Sequence, residues 1–335
     1  MKRTLLLITA LLATMTAVKA IDKNTVEITY NGTTATVSIA PNISSYVTVQ
    51  SGTSSHVKIV QSDNFAGVDK NTDNEDGEII YVLAGSSTDG EFYMEGSYKA
   101  TVELNGLTLT NPSGPALAIM DGKRIEVSAK KGTYSTITDG ANDTYNGCLH
   151  CKGHLKLKGK GVLNVQGNAK HAIYSKEYME VKNCTVNITA AAKDGIHCKE
   201  YFLQESGTIN ISGTADDGIQ VEVDNSITKT GQLTDHEDEN SGNCYQTGGT
   251  LSISKFAGAA IKADGTVKLS GKTSGFSSSD VVENAANGVQ AITTPTATAA
   301  TLYDLNGRLL PATTTRTKGI YLQKNGRQAR KVIIN

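Results

Sequence analysis

Residues 193–221 read KDGIHCKEYFLQESGTINISGTADDGIQV and carry one phrase twice. A turn of small residues, Asp194-Gly195 and then Asp217-Gly218, leads into an apolar anchor, Ile196 and then Ile219. The beat continues in both directions. Ile173 in HAIYS precedes Ile196 by the same interval that separates Ile196 from Ile219, and Leu149 in GCLHC precedes Ile173 by one position more. Leu117 in GPALAI lies further back, and Ile261 in AAIKA follows Ile219 after one coil plus an insert. A unit this short cannot bury its own apolar face, so it must stack on its neighbours.

Within each unit the apolar residues alternate, as strands require. Leu155, Leu157, Leu163 and Val165 serve one unit, and Met179, Val181, Val186 and Ile188 the next. Leu203, Ile209 and Ile211 follow, then Leu251 and Ile253, then Val267 and Leu269. Gly159, Asn183, Gly207, Gly249 and Gly271 punctuate these sets. No stretch holds a helical period. The pattern predicts an all-β fold, a right-handed parallel β-helix with about 23 residues and three short strands per coil. The Leu/Asn signature of leucine-rich repeats is absent. With 33 Gly and 5 Pro, composition supplies the corner residues that such coils need.

The flanks differ from the repeat. Residues 1–20 read as a secretory signal: Lys2-Arg3, an apolar stretch from Leu5 to Met15, and Val18-Lys19-Ala20 as cleavage site. That apolar run is too short to span a membrane, and no transmembrane span is expected. Residues 21–100 form a β-rich segment leading into the β-helix of 101–284. The acidic run Asp69–Glu78 reads as a solvated loop, because Asn74 stands where an EF-hand loop has Gly. Residues 285–300 are small and Thr-rich, a linker. The tail 301–335 resembles the C-terminal sorting module of secreted Bacteroidetes proteins, through Leu302-Tyr303-Asp304-Leu305-Asn306-Gly307-Arg308, Lys318-Gly319-Ile320-Tyr321 and the basic-apolar ending Arg330–Ile334. That resemblance implies a secreted or cell-surface product and secretion machinery as a partner.

The run Tyr81–Ile119, with LNGLTLTN and GPALAI, followed by the repeated DGI turns, resembles bacterial carbohydrate-binding domain-containing proteins. The type member of that family is a clostridial cellulose-binding β-helix protein similar in fold to polysaccharide lyases. The resemblance implies a right-handed β-helix, polysaccharide binding and bound calcium. In that family the turn is often Asp-Asp-Gly-Ile; Asp216-Asp217-Gly218-Ile219 keeps it whole, Lys193-Asp194-Gly195-Ile196 keeps half, and Lys170-His171-Ala172-Ile173 keeps none.

Coils stack about 4.8 Å apart, so residues at equal offset from the anchors form columns. One column reads Gly147, His171, Asp194, Asp217, Ala259. Asp194 and Asp217 stack there, with Asp216 beside them, and either hold calcium between them or serve as turn-forming residues. The column after the anchor reads His150, Tyr174, His197, Gln220, Lys262 and faces outward, either a sugar-binding strip or an ordinary solvated face. His150 and His197 lie two coils apart, about 9.6 Å, which argues against zinc on that column. Lys152, Lys176, Lys199 and Glu222 form a further column. The three Lys would attract a polyanion, and their mutual repulsion would make the middle one a better lyase base, unless Glu177 and Glu200 neutralise them. Cys151, Ser175 and Cys198 point inward. The run Asp235–Glu239 reads as an acidic loop.

The chain has 13 Tyr and 5 Phe but no Trp, which removes the usual platform for crystalline glucans. The expected function is calcium-assisted binding of an acidic or plant cell-wall polysaccharide, outside the cell. Two alternatives stand beside it. One is a calcium-dependent pectate-type lyase with Lys176 or Lys199 as base; the other is an adhesin or structural β-helix with no glycan ligand. No nucleic-acid partner is expected.

Overall fold

The computed structural model describes residues 21–62, 78–141, 143–225 and 240–284, together with the backbone of 301–303, 309–310, 319–325 and 328–334. The signal at 1–20, the linker at 285–300, the acidic run Asp235–Glu239 and most of the run 69–78 lie outside these residues. The chain divides into two units, Met1–Asn287 and Gly288–Asn335.

The first unit is all-β, with only single 3-10 turns at Pro41–Ile43 and Ser278–Asp280 among the described residues. Its strands form a solenoid-like stack of parallel ladders. The anchor ladder runs Glu91–Gly96, Leu117–Asp121, Gly147–Cys151, His171–Ser175, Ile196–Lys199, Ile219–Glu222, Ile261–Ala263 and Val281–Glu283. Its register puts Leu117, Leu149, Ile173, Ile196, Ile219 and Ile261 side by side. The longer step from Ile219 to Ile261 is therefore one coil carrying an insert. A second ladder includes Leu155–Gly159, Met179–Val181, Tyr201–Gln204 and Asn243–Gln246. A third includes Val162–Gly167, Thr185–Ala191, Thr208–Thr214 and Thr250–Phe256. Each coil contributes one strand to each ladder. Parallel pairing reaches back to Thr25–Asn31, which pairs with Ile79–Ser87.

The anchors and the inward residues of all three ladders form one continuous apolar core. Burial of this stripe supplies the main driving force, since no single coil has an interior of its own. Gly159, Asn183, Gly207 and Gly249 take left-handed backbone angles between strands, as their punctuating positions require. Asn164, Asn187 and Asn210 share a register in the third ladder, and their side-chain amides bond in series at 2.9 and 2.8 Å.

One phase differs from the alternation. Leu203 is only half-buried, while Phe202 and Gln204 point into the core. In KEYFLQE every position from 201 to 203 is apolar or aromatic, so periodicity does not fix the phase. Register does, by placing Phe202 on Met179. All five cysteines are buried and free, with Cys151, Ser175 and Cys198 fully inside. Within the second unit, Thr301–Tyr303, Leu309–Leu310, Gly319–Asn325 and Gln328–Ile334 form an antiparallel sheet. No described helix is long and apolar enough to cross a membrane.

Candidate functional site

The outer side of the anchor ladder carries the candidate site. Register confirms the column: His150 pairs with Tyr174, Tyr174 with His197, His197 with Gln220, and Gln220 with Lys262. It also extends backwards through Ala118 to Tyr93 and Lys58. The rings of His150 and Tyr174 stack with centroids 5.1 Å apart, and those of Tyr174 and His197 at 5.5 Å. Tyr145 meets His150 edge-on at 5.3 Å. This differs from an open strip: His150, Tyr174 and His197 are each less than a tenth exposed, because rings one coil apart cover each other's faces. Gln220 is half-buried and Lys262 exposed. Burial, with Lys170 nearby, pushes the His150 imidazole down to about 4, so it is neutral at physiological pH.

Beside this strip runs the Asp column, built by a repeated bond. Each side chain accepts the backbone N–H of the same position one coil on. His171 Nδ1 accepts from Asp194 N at 3.3 Å, Asp194 Oδ1 from Asp217 N at 3.1 Å, and Asp217 Oδ1 from Ala259 N at 2.6 Å. The column thus ties coil to coil whatever else it does. Its glycines follow from close packing, not from turn angles. A Cβ on Gly195 would lie 2.7 Å from the carbonyl oxygen of Gly218, and one on Gly218 would lie 2.5 Å from that of Ala260.

Asp194, Asp216 and Asp217 converge, each offering an oxygen within 4.8 Å of the others. Asp194 and Asp217 are buried and Asp216 is exposed. Asp217 Oδ2 is buried with no hydrogen-bond donor among the described residues, and Lys262 Nζ lies 3.6 Å from it. Burial, reinforced by Asp194 and Asp216, raises the Asp217 carboxyl above its ordinary range. A buried oxygen without a donor, beside two more carboxylates, is a donor set that suits a hard cation such as calcium. Burial alone would also raise Asp194, but its contacts with His171 and His197 hold it well below the usual carboxylate range. Burial lowers His171.

The structure also joins residues that columns alone keep apart. His171 Nδ1 and His197 Nδ1 lie 3.1 and 3.0 Å from Asp194 Oδ2. His171 sits directly before Asp194 in the Asp column, while His197 stands three residues after it in the next column. The signal was diagonal, and reading columns one at a time missed it. The argument against zinc holds for His150 and His197, which Tyr174 separates, but it does not reach this pair.

The Lys column lies on the far edge of the same strands. Lys152 and Lys176 are exposed and Lys199 is half-buried. Glu177 and Glu200 do not neutralise them. Glu177 lies 2.7 Å from His154 Nε2, and Glu200 accepts from the Tyr178 backbone N–H at 3.2 Å. None of the three Lys has an ion-pair partner among the described residues. A second stack, His154, Tyr178 and Tyr201, lies five residues beyond the anchors, with centroids 4.1 and 4.9 Å apart. Its equal offset was visible in the sequence. Its rings are buried, so it braces the coils and offers no platform.

A family model described as carbohydrate-binding domain-containing protein matches residues 72–306. Among solved structures, the chain is similar to a polysaccharide lyase-like protein from C. thermocellum, in its gadolinium derivative, with a TM-score of 0.54 and 18% identity over 77% of this chain and 99% of that one. At that identity the likeness concerns the fold. No curated protein matches the chain. With more than two thirds of its length covered by the family model, this chain belongs to the carbohydrate-binding domain-containing family.

Proposed function

We propose that the chain is a right-handed parallel β-helix that binds polysaccharide outside the cell, holds calcium at Asp194, Asp216 and Asp217, and favours acidic glycans. Family membership supports the polysaccharide. The observation that carries the rest is the row of Lys152, Lys176 and Lys199 on one ladder, which has no ion-pair partner among the described residues; the buried His150–Tyr174–His197 stack beside it braces that ladder. Cations in a row recognise a repeating polyanion better than a neutral chain. Bound calcium would offset the charge of the converged carboxylates and add positive charge beside the strip. Gln220 and Lys262 extend the same surface. The secretory signal and the sorting-like tail support an extracellular or cell-surface location and contact with secretion machinery.

A calcium-dependent lyase is the second reading, favoured by the exposed Lys176, which has no ion-pair partner among the described residues. It ranks lower on distance. Lys199 ends the strand Ile196–Lys199 and Asp194 lies before its start, so the Lys edge and the carboxylates sit at opposite ends of that strand. The test is to incubate the full chain with polygalacturonate, with calcium or with chelator, and to measure both retained glycan and the ultraviolet absorbance of unsaturated product. Retention that needs calcium, with flat absorbance, is the expected result. Rising absorbance abolished by Lys176→Ala or Lys199→Ala would replace this reading with the lyase. Absence of retention in both conditions would leave the chain without an acidic ligand.

A further inference from the structure

We infer that His171, Asp194 and His197 form a binding site for a borderline divalent transition cation, for which zinc is the probe, one that shares Asp194 with the calcium site proposed at Asp194, Asp216 and Asp217. It stands independently of the polysaccharide reading.

Three ligating atoms converge from two adjacent coils, one from each residue, all within 4.8 Å of one another. Two imidazole nitrogens and one carboxylate oxygen suit zinc, copper or nickel, whereas calcium prefers oxygen throughout. The separations of 3.0 and 3.1 Å between Asp194 Oδ2 and the two Nδ1 atoms match zinc bonds of about 2.0–2.1 Å meeting at about 95°.

Both imidazoles turn one nitrogen towards the same carboxylate oxygen. His171 Nδ1 lies 3.1 Å from Asp194 Oδ2 and also meets the Asp194 backbone N–H at a long 3.3 Å, a contact that a bound cation would displace because a ring nitrogen has one lone pair. His197 points the same way. Its far nitrogen, Nε2, lies 3.5 Å from Glu222 Oε2. An outer carboxylate on the distal nitrogen fixes the tautomer that leaves the proximal nitrogen free for metal. Asp194 Oδ1 is engaged by the Asp217 N–H, which leaves Oδ2 for this site. Three protein ligands leave one tetrahedral position open.

The experiment is a calorimetric titration of zinc chloride into the full chain stripped with chelator, repeated with His171→Gln, His197→Gln and Asp216→Asn. Cobalt substitution reports the ligand type, and melting in chelator checks that each variant is folded. The expected result is saturable binding of one zinc, weakened in each His variant by more than the roughly 10–100-fold that outer-sphere changes cost. Asp216→Asn should leave zinc affinity intact, and the His variants should leave any response to calcium intact. The cobalt spectrum should lack a thiolate charge-transfer band, although five buried cysteines are present. Absence of saturable zinc binding, affinity unchanged in both folded His variants, or a thiolate band would each overturn the assignment. Should both His variants fail to fold, the cobalt spectrum of the parent decides.

Discussion

Replacing Gly218 with Ala should destabilise the stack, whereas replacing Gly122 should not. Both glycines lie in turns before or after anchor-ladder strands, and neither has a left-handed φ. They differ in what a methyl group would meet. At Gly218 a Cβ would lie 2.5 Å from the Ala260 carbonyl oxygen and 2.6 Å from Ile253 Cγ2. That carbonyl already accepts the Ile219 N–H at 3.0 Å, so it can retreat only by breaking a bond of the ladder. Overpacking of a close-packed interior costs about 1–3 kcal/mol, and an obstructing backbone atom places this case at the upper end. Reduced freedom of the unfolded chain returns about 0.4–1 kcal/mol. The net loss is therefore about 2 kcal/mol. At Gly122 nothing lies within 4 Å of the added Cβ, so only the favourable entropy remains. Ala172 shows why a methyl group is accepted elsewhere in the column: it faces Gly167, whose own Cβ would lie 2.5 Å from the Ala172 Cα. Urea unfolding followed by circular dichroism measures the difference. Gly218→Ala should lower the midpoint and Gly122→Ala should hold or raise it. A Gly218→Ala protein as stable as its parent would refute the claim that coil spacing dictates these glycines.

Other expectations follow from the same geometry. Calcium at a hundredfold excess over its dissociation constant should stabilise the chain by about 2.7 kcal/mol, and Asp217→Asn should remove that gain in a thermal melt. Asn187→Ala breaks two bonds of the amide series, to Asn164 and from Asn210, and should cost about 1–3 kcal/mol in the same urea assay. Glu200 is pushed from 4.5 up to about 7, chiefly by burial. A raised carboxyl favours folding when protonated, so its contribution is complete below 4.5 and is lost as pH rises to about 7. Glu200→Gln should flatten that part of the stability profile.

Much of the stack was legible because its signals are one-dimensional. Anchors at a constant interval name the strands that must lie side by side, and the register of Ile173, Ile196 and Ile219 follows from them. The longer step to Ile261 was equally readable, since an insert lengthens a coil without moving its anchor. Columns were legible for the same reason, down to the inward Cys151, Ser175 and Cys198. What escaped depends on side-chain reach or local phase. Spacing gives the distance between two Cα positions, not the diagonal that brings the His171 and His197 rings within 4.4 Å. Nor does it reveal that stacked rings shield one another, so the strip is more covered than its outward direction implies. The choice between Phe202 and Leu203 follows Glu200, whose φ of 63° resets the alternation after the turn. Glu177 and Glu200 look like neutral partners for the Lys column in sequence, yet they turn towards His154 and Tyr178.

The most direct test of the central claim is the affinity of the full chain for oligogalacturonate in calcium, measured by calorimetry against a variant with Lys152, Lys176 and Lys199 all changed to Ala. Exposed ionic contacts contribute about 0.2–1 kcal/mol each, so three of them correspond to about a 3- to 150-fold loss. The account predicts that loss, with a shallower salt dependence in the variant. Equal affinity in both proteins, or no binding by the parent, would contradict it.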